Sequence, residues 1–224
     1  MRVAIVGSGR LARELLERCE LPRGVTLHAW NDASPSDGVS VVVHAGSGRE
    51  LAQVVAYCER TQATLLELST GSALEKLTPS FPVVLCPNTN ILMLKFMRMV
   101  AVSGHMFRGY QVTIRESHQR AKTSAPGTAL ALAQSLGLPM HAIESERDPQ
   151  RQVREFAVPV EHLDRHAVHC IEIADAGCVI KLEARVQGAM PYARGLGLLL
   201  QALQRRPIEP GLHHVAQLVE EGWL

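Results

Sequence analysis

Charge of one sign is the first thing this sequence lacks: 23 basic residues stand against 22 acidic ones, a net charge of +1 over 224 residues. A near-neutral chain offers no electrostatic footprint for nucleic acid or an anionic membrane surface, so neither is an expected partner. Cysteines are few, five in all, and they are odd in number and widely spaced at Cys19, Cys58, Cys86, Cys170 and Cys178. Most sit in apolar runs, and they read as reduced core residues of a cytoplasmic protein rather than as a disulfide framework. Long hydrophobic runs are missing as well. No window holds about 18 uninterrupted apolar residues, and Val3-Ala4-Ile5-Val6 gives way at once to glycine, leaving no hydrophobic region for a leader peptide. No internal repeat, low-complexity tract or flexible linker is present either. What is there is ample core material, 46% hydrophobic residues, in a length that allows one large domain or two small ones.

Hydrophobic spacing sets the expected order of elements. Val3–Val6 reads as a strand ending at Gly7-Ser8-Gly9, after which Leu11, Ala12, Leu15, Leu16 and Cys19 recur at helical spacing. Further strands fit Val25–Trp30, Val39–Ala45, Thr64–Ser69 and Val83–Cys86, with a helix at Glu50–Arg60 between them, and this alternation argues for a parallel sheet. The rhythm changes near residues 87–90. A long apolar helix is expected over Ile91–Phe107, then a strand at Gln111–Glu116 and a helix at about Pro126–Leu136. Val153–Val158, Ala167–Ala174 and Cys178–Val186 read as antiparallel strands, the last two joined by an Asp175-Ala176-Gly177 turn; helices are expected at Tyr192–Gln204 and Leu212–Glu220. Methionines and aliphatics from Ile91 to Met97 read as core packing.

Gly7-Ser8-Gly9-Arg10-Leu11-Ala12 matches G-x-G-x-x-A between a strand and a helix, the context that gives this motif meaning. Gly7 permits the turn, Gly9 leaves room for a pyrophosphate, Ala12 lets the helix sit close to the sheet, and free N–H groups at the helix start bind phosphate. NADH or NADPH is the expected cofactor. Asp32 stands where an acidic ribose ligand is expected and favours NADH, whereas Arg10 and Arg23 would offset it; a solvated loop residue is the other reading of Asp32. The fold class is therefore α/β: an N-terminal Rossmann-type parallel sheet with a second α+β domain carrying a mixed or antiparallel sheet.

Glu116-Ser-His-Gln-Arg-Ala-Lys-Thr-Ser-Ala-Pro-Gly-Thr128 places an imidazole, His118, and an ammonium, Lys122, just ahead of a helix start. His118 can exchange a proton near neutral pH, Lys122 supplies a positive charge, and N–H groups at Gly127 and Thr128 can receive a carboxylate. Without a ligand, the stretch reads as a capped helix, with Ser124 as its cap and Pro126 in its first turn. His162, His166 and His169 lie on strand-like alternation with no completing carboxylate or cysteine, and they read as structural or surface histidines rather than metal ligands.

These stretches resemble the 4-hydroxy-tetrahydrodipicolinate reductases, also called dihydrodipicolinate reductases. The likeness rests on Gly7–Ala12, on Leu68-Ser69-Thr70-Gly71 beside the family's G-T-T-G, on Pro87-Asn88-Thr89-Asn90 beside its A-x-N-x-S turn, and above all on Glu116–Thr128 beside its E-x-H-H-x-x-K-x-D-x-P-S-G-T-A. Arg185, Gly188-Ala189 and Tyr192-Ala193-Arg194-Gly195 resemble its distal arginine and the start of its F-A-x-G-A helix. The resemblance implies a reductase of lysine and diaminopimelate biosynthesis. Residues 1–89 would bind the dinucleotide, with a C-terminal helix of about 207–224 packing back on them, and residues 90–206 would bind substrate and form the oligomer, commonly a homotetramer. His118 would be the general acid, Lys122 would assist it, and Gly127 and Thr128 would hold a carboxylate of a cyclic dicarboxylate or imine substrate, with Gln119 beside them. Ser69, Thr70, Gly71, Pro87 and Asn88 would face the nicotinamide. The chain departs from the pattern at Gln119, which replaces the family's second histidine, at Ser124, which replaces its aspartate, and in the missing serine before Gly127. Gln119 keeps hydrogen bonding but carries no charge. Two other readings follow: a paralogue reducing another cyclic imine or amino-acid precursor, and a catalytically silent dinucleotide-binding sensor.

Overall fold

The computed structural model describes residues 1–30, 38–122, 126–188 and 190–224, so Asp32, Ser124 and Ala189 lie outside the described residues. The chain divides into two compact units. Unit 1 comprises Met1–Ile91 and Tyr192–Leu224, and unit 2 comprises Leu92–Pro191.

Unit 1 is built on strands β1 (Arg2–Val6), β2 (Thr26–Ala29), β3 (Val41–His44), β4 (Thr64–Glu67), β5 (Pro82–Leu85) and β10 (Gly211–His214), with helices α1 (Arg10–Arg18), α2 (Leu51–Thr61), α6 (Ala193–Arg205) and α7 (Val215–Glu220). The strands form one sheet in the order β10-β5-β4-β3-β1-β2, every pairing parallel. A parallel sheet covered on both faces needs strands that are apolar throughout, and the Val41-Val42-Val43 run of β3 and the Pro82–Leu85 run of β5 are buried end to end. One cluster of the core packs β3, β4 and β5 against Val54, Tyr57 and Cys58 of α2. Strand order reverses at β1, which has β2 on one side and β3 on the other. In open α/β sheets such a switch point marks the ligand crevice, at the carboxyl ends of the strands.

Unit 2 carries β6 (Gln111–His118), β7 (Ile143–Glu146), β8 (His166–Asp175) and β9 (Cys178–Gln187), with α3 (Ile91–Ser103, which begins at the last residue of unit 1), α4 (Gly127–Ser135) and α5 (Pro149–Phe156). Its sheet runs β7-β6-β8-β9, with β6 parallel to β7 and antiparallel to β8, and β8 antiparallel to β9. The expected mixed second sheet is therefore present. Leu132, Ala133 and Leu136 at the end of α4 pack on Ile114, Ile171 and Ile173 of the sheet and on Val100 of α3. At Gly104 a side chain would meet the Ser135 carbonyl at 2.4 Å, so the end of α3 sits directly on α4.

Several sequence expectations are corrected. Val153–Val158 is not a strand: Asp148 accepts hydrogen bonds from the N–H groups of Gln150 and Arg151, Pro149 starts α5, and Gln152 and Phe156 form its buried face at i, i+4 spacing. Residues 211–214, expected to be helical, form β10 beside β5 before α7 begins. Pro126 is the N-cap of α4 rather than part of its first turn. Helix α6, expected in the second domain, belongs to unit 1, because Gly195 and Gly197 lack the Cβ atoms that would meet the carbonyls of Thr89 and Glu20. Only Cys58 and Cys86 are fully buried, and Cys178 is exposed at the β8–β9 hairpin.

Candidate functional site

In unit 1 the first glycine loop has the conformation its motif requires. Gly7 leaves β1 at φ +122°, and a Cβ there would lie 2.7 Å from the carbonyl oxygen of Ala45, which follows β3. Only glycine fits at this crossing of two strand ends. Gly9 is the N-cap of α1, no side chain caps the helix, and nothing lies within 4 Å of the place a Cβ would take. Ser8, Gly9 and Arg10 are exposed and Leu11 is half-buried, while Ala12 is fully buried, as close packing of helix on sheet demands. Space, free N–H groups and the switch point all fit a pyrophosphate.

Ser69, Thr70 and Gly71 follow β4, where Ser69 is tied into a network the sequence did not disclose. His44 and Glu67 are both wholly buried, and the His44 Nδ1 lies 2.8 and 3.0 Å from the two carboxylate oxygens of Glu67. The Ser69 N–H donates to Glu67 Oε1 at 2.8 Å and its hydroxyl to the Gly46 carbonyl at 3.2 Å. The loops after β3 and β4 are thus fastened to each other by buried polar groups. Asn88 makes a tight turn after β5, its side chain accepting from the Asn90 N–H at 2.8 Å, and Pro87 beside it is exposed.

In unit 2, β6 delivers Glu116 and His118 to the same side of the sheet, because side chains two apart on a strand share a face. His118 Nδ1 lies 2.5 Å from Oε2 of Glu116, whose side chain is wholly buried, whereas the imidazole keeps 12% of its surface in solvent. Arg147 Nη2 donates to the other carboxylate oxygen, Oε1, at 2.6 Å, and Nη1 to Oε2 itself at 3.2 Å. Burial pushes the Glu116 carboxyl up, but hydrogen bonds from His118, Arg147 and Ser145 outweigh it and hold the group down to about 2. The carboxylate is ionised at any working pH. Its contribution to stability is complete above the ordinary carboxylate range and is lost as pH falls toward about 2.

His169 stands directly opposite Glu116 in the β6–β8 register, and its ring meets that of His118 edge-on at 5.4 Å. It is 1% exposed, and neither ring nitrogen has a hydrogen-bond partner among the described residues. Burial first, then the positive charges of His118 and Lys122, push it down to about 4. Here the sign is that of a histidine buried neutral. The unfolded chain takes up a proton near 6.5 and the folded chain only near 4, so stability falls as pH drops through that window. Replacing His169 by leucine is expected to remove about 2 kcal/mol of the loss between about pH 7.5 and about pH 5, read from urea unfolding at the two values. A wild-type protein with equal stability at both would contradict the assignment.

Gln119 and Lys122 lie in the turn after β6, where the Lys122 N–H donates to the Gln119 carbonyl at 3.0 Å. Gly127 and Thr128 open α4, whose N-terminus has no side-chain cap among the described residues, and the leading N–H groups of a helix have no intrahelical acceptor. The structure therefore brings His118 and Lys122 into one electrostatic neighbourhood with His169, and sets Gly127 and Thr128 at an uncapped helix start in the same unit. Sequence reasoning missed Glu116 as a working group, although its i, i+2 relation to His118 on a strand was a usable signal. It also missed Arg147 and Gln152, and it read His169 as a structural or surface histidine. Gln152, wholly buried on α5, donates to the His118 carbonyl at 2.7 Å. Metal-type reading of the other histidines finds instead His166 with Nδ1 on the carbonyls of His162 and Leu163 and Nε2 2.9 Å from the Ser117 hydroxyl.

Comparison with known proteins bears on this segment. The family model described as "Dihydrodipicolinate reductase, C-terminus" matches residues 90–218. A 4-hydroxy-tetrahydrodipicolinate reductase of Thiobacillus denitrificans is 27% identical across 98% of both chains. Chloroplastic 4-hydroxy-tetrahydrodipicolinate reductase 2 of Arabidopsis thaliana is 32% identical over 126 residues, which are 52% of this chain and 36% of the plant protein. The chain thus spans about a third of the length of that plant relative. The structure of a dipicolinate-bound dihydrodipicolinate reductase from Paenisporosarcina sp. TG-14 superposes with a TM-score of 0.68, covering 97% of this chain and 98% of the other at 15% identity, a likeness of fold. With the family model covering more than half of its residues, including β6, the turn after it and α4, the chain belongs to the dihydrodipicolinate reductase family.

Proposed function

We propose that this protein reduces 4-hydroxy-tetrahydrodipicolinate to tetrahydrodipicolinate with NADH or NADPH, the 4-hydroxyl leaving as water, in lysine and diaminopimelate biosynthesis. The observation that carries the reading is His118, held at Nδ1 by an ionised, buried carboxylate and keeping part of its ring in solvent, within a segment that matches the family. A reduced nicotinamide supplies a hydride, that is, two electrons to the substrate ring, and is itself oxidised. The protein's residues supply the rest. Gly7, Ser8, Gly9, Arg10 and Leu11 fit the dinucleotide's phosphates, and Ser69, Thr70, Gly71, Pro87 and Asn88 fit its nicotinamide end. His118 gives one proton from Nε2 and becomes neutral, keeping its Nδ1–H on Glu116, and solvent later restores the proton. Lys122, with Gln119 beside it, and the free N–H groups of Gly127 and Thr128 hold a substrate carboxylate. A cytoplasmic homotetramer is the assembly this reading implies.

Gln119 favours a second reading, a paralogue for another cyclic imine, because it withholds a charge the family places there. One coupled assay separates the possibilities. Purified protein, given freshly generated product of dihydrodipicolinate synthase, is expected to oxidise NADH or NADPH, each tested separately. Turnover only with other imines would replace the substrate, and cofactor binding without any turnover would leave a dinucleotide sensor.

A further inference from the structure

We infer that Glu116, held ionised by Arg147, is the positioning residue that fixes the tautomer and orientation of His118. This rests on the role of His118 proposed above, and adds to it which groups make that imidazole a proton donor on one side only.

The geometry constrains His118 from three directions. Nδ1 faces Glu116 Oε2 at 2.5 Å, the ring lies edge-on against His169 at an interplanar angle of 79°, and the backbone carbonyl of His118 accepts from Gln152 Nε2 at 2.7 Å. Gln152 also donates to the Glu146 carbonyl at 3.2 Å, so α5 braces the ends of β6 and β7 together. A carboxylate accepts and cannot donate, so Nδ1 must carry a hydrogen in both charge states of the ring. The exchangeable proton is then confined to Nε2, for which no described residue provides a partner. After the proton leaves, the neutral ring is already the Nδ1–H tautomer, and nothing has to rotate.

Glu116 could not do this alone. An isolated buried carboxylate would be too costly to keep charged and would take up a proton. Arg147 prevents that with two donors, and its own position is set by Nη1 donating to the Glu146 carbonyl at 2.7 Å and by its N–H donating to Glu146 Oε1 at 2.9 Å. The charged and titratable groups around the imidazole are Glu116 on its own strand, Lys122 in the following turn, His166 and His169 on β8, and Arg147 after β7. Among these groups, Glu116 is the one carboxylate.

The substitution Glu116→Gln makes a sharp prediction because Arg147 has donors and no acceptor. Arg147 will claim the amide oxygen, which turns the amide NH2 toward His118 Nδ1. A donor at that position requires Nδ1 to be an acceptor, so the neutral ring flips to the Nε2–H tautomer and the doubly protonated ring is disfavoured. Two-bond 1H–15N correlation spectra of protein labelled with 15N-histidine report this directly, the His118 signals being those absent from a His118→Gln sample. The expected result is an Nδ1–H pattern in the wild type, an Nε2–H pattern in Glu116→Gln, and a fall in kcat of about 10–100-fold with little change in KM. Should the single variant fail to fold because Arg147 is left without a counter-charge, Glu116→Leu with Arg147→Met removes both charges together and the acceptor at Nδ1, and loss of the Nδ1–H pattern is the expected result there too. Wild-type tautomer and wild-type kcat in either folded variant would overturn the inference. The spectra need no substrate, so a wild type that shows the Nδ1–H pattern but reduces nothing in the coupled assay would sink the proposed reaction and still support the role of Glu116.

Discussion

His118→Gln is expected to lower kcat with the dihydrodipicolinate synthase product by about 10²–10⁴-fold, the scale of losing a general acid, with cofactor affinity nearly unchanged. Glutamine is close to the length of the imidazole and can still hydrogen-bond, but it has no proton to give near neutral pH. The two measurements divide cleanly because His118 lies on β6 in unit 2, whereas the glycine loop that fits the pyrophosphate follows β1 in unit 1. Nucleotide affinity measured by fluorescence titration and turnover measured by the coupled assay should therefore respond independently. Unchanged turnover in the variant would remove His118 from the chemistry and would leave Lys122 as the sole remaining candidate donor in that turn.

Gly195→Ala should be the most damaging small substitution outside the site. A Cβ built there lies 1.5 Å from the Thr89 carbonyl oxygen and 2.6 Å from its carbon, distances no rotamer can relieve because both partners are backbone. The same junction is stitched by the Thr89 hydroxyl donating to the Tyr192 carbonyl at 2.9 Å and by the N–H groups of Tyr192 and Ala193 donating to the buried carboxylate of Glu14 at 2.8 and 3.1 Å. Relief would require the first turn of α6 to move off the segment after β5, breaking those bonds. A loss of about 3 kcal/mol or more is expected, which for a chain of this size lowers the thermal midpoint by roughly 6–12 °C. Arg194→Ala, at the exposed neighbour, should change stability by no more than about 0.5 kcal/mol. Equal midpoints for Gly195→Ala and wild type would show that the helix can shift at no cost.

Much of unit 1 was legible because its signals are local. The β1–turn–α1 unit combines an apolar strand, two glycines and helical spacing within twenty residues, and each part supports the same assignment. Misreadings came where short apolar spacing suits both periods. Val153, Phe156 and Val158 imitate a strand if the Asp148-Pro149 start signal is passed over, and β7, with the sequence Ile-Glu-Ser-Glu, has almost no apolar face from which to be recognised. At the site, His118 and Lys122 could be picked out because a helix start follows them in the chain. Arg147 and His169 could not, since what brings them to Glu116 is the pairing of β6 with β7 and β8, and register between distant strands leaves no trace in residue spacing. Asp32, the expected ribose ligand, lies outside the described residues.

The chain leaves unit 1 at Ile91 and re-enters it at Tyr192, so unit 2 is one uninterrupted stretch while unit 1 is written in two pieces. During synthesis, then, residues 92–191 emerge whole and can fold as a body while the parallel sheet still waits for its sixth strand, β10. The Thr89 hydroxyl bond to the Tyr192 carbonyl then closes the long loop between the two pieces of unit 1, so the entropic cost of that closure falls on the last stretch to be made.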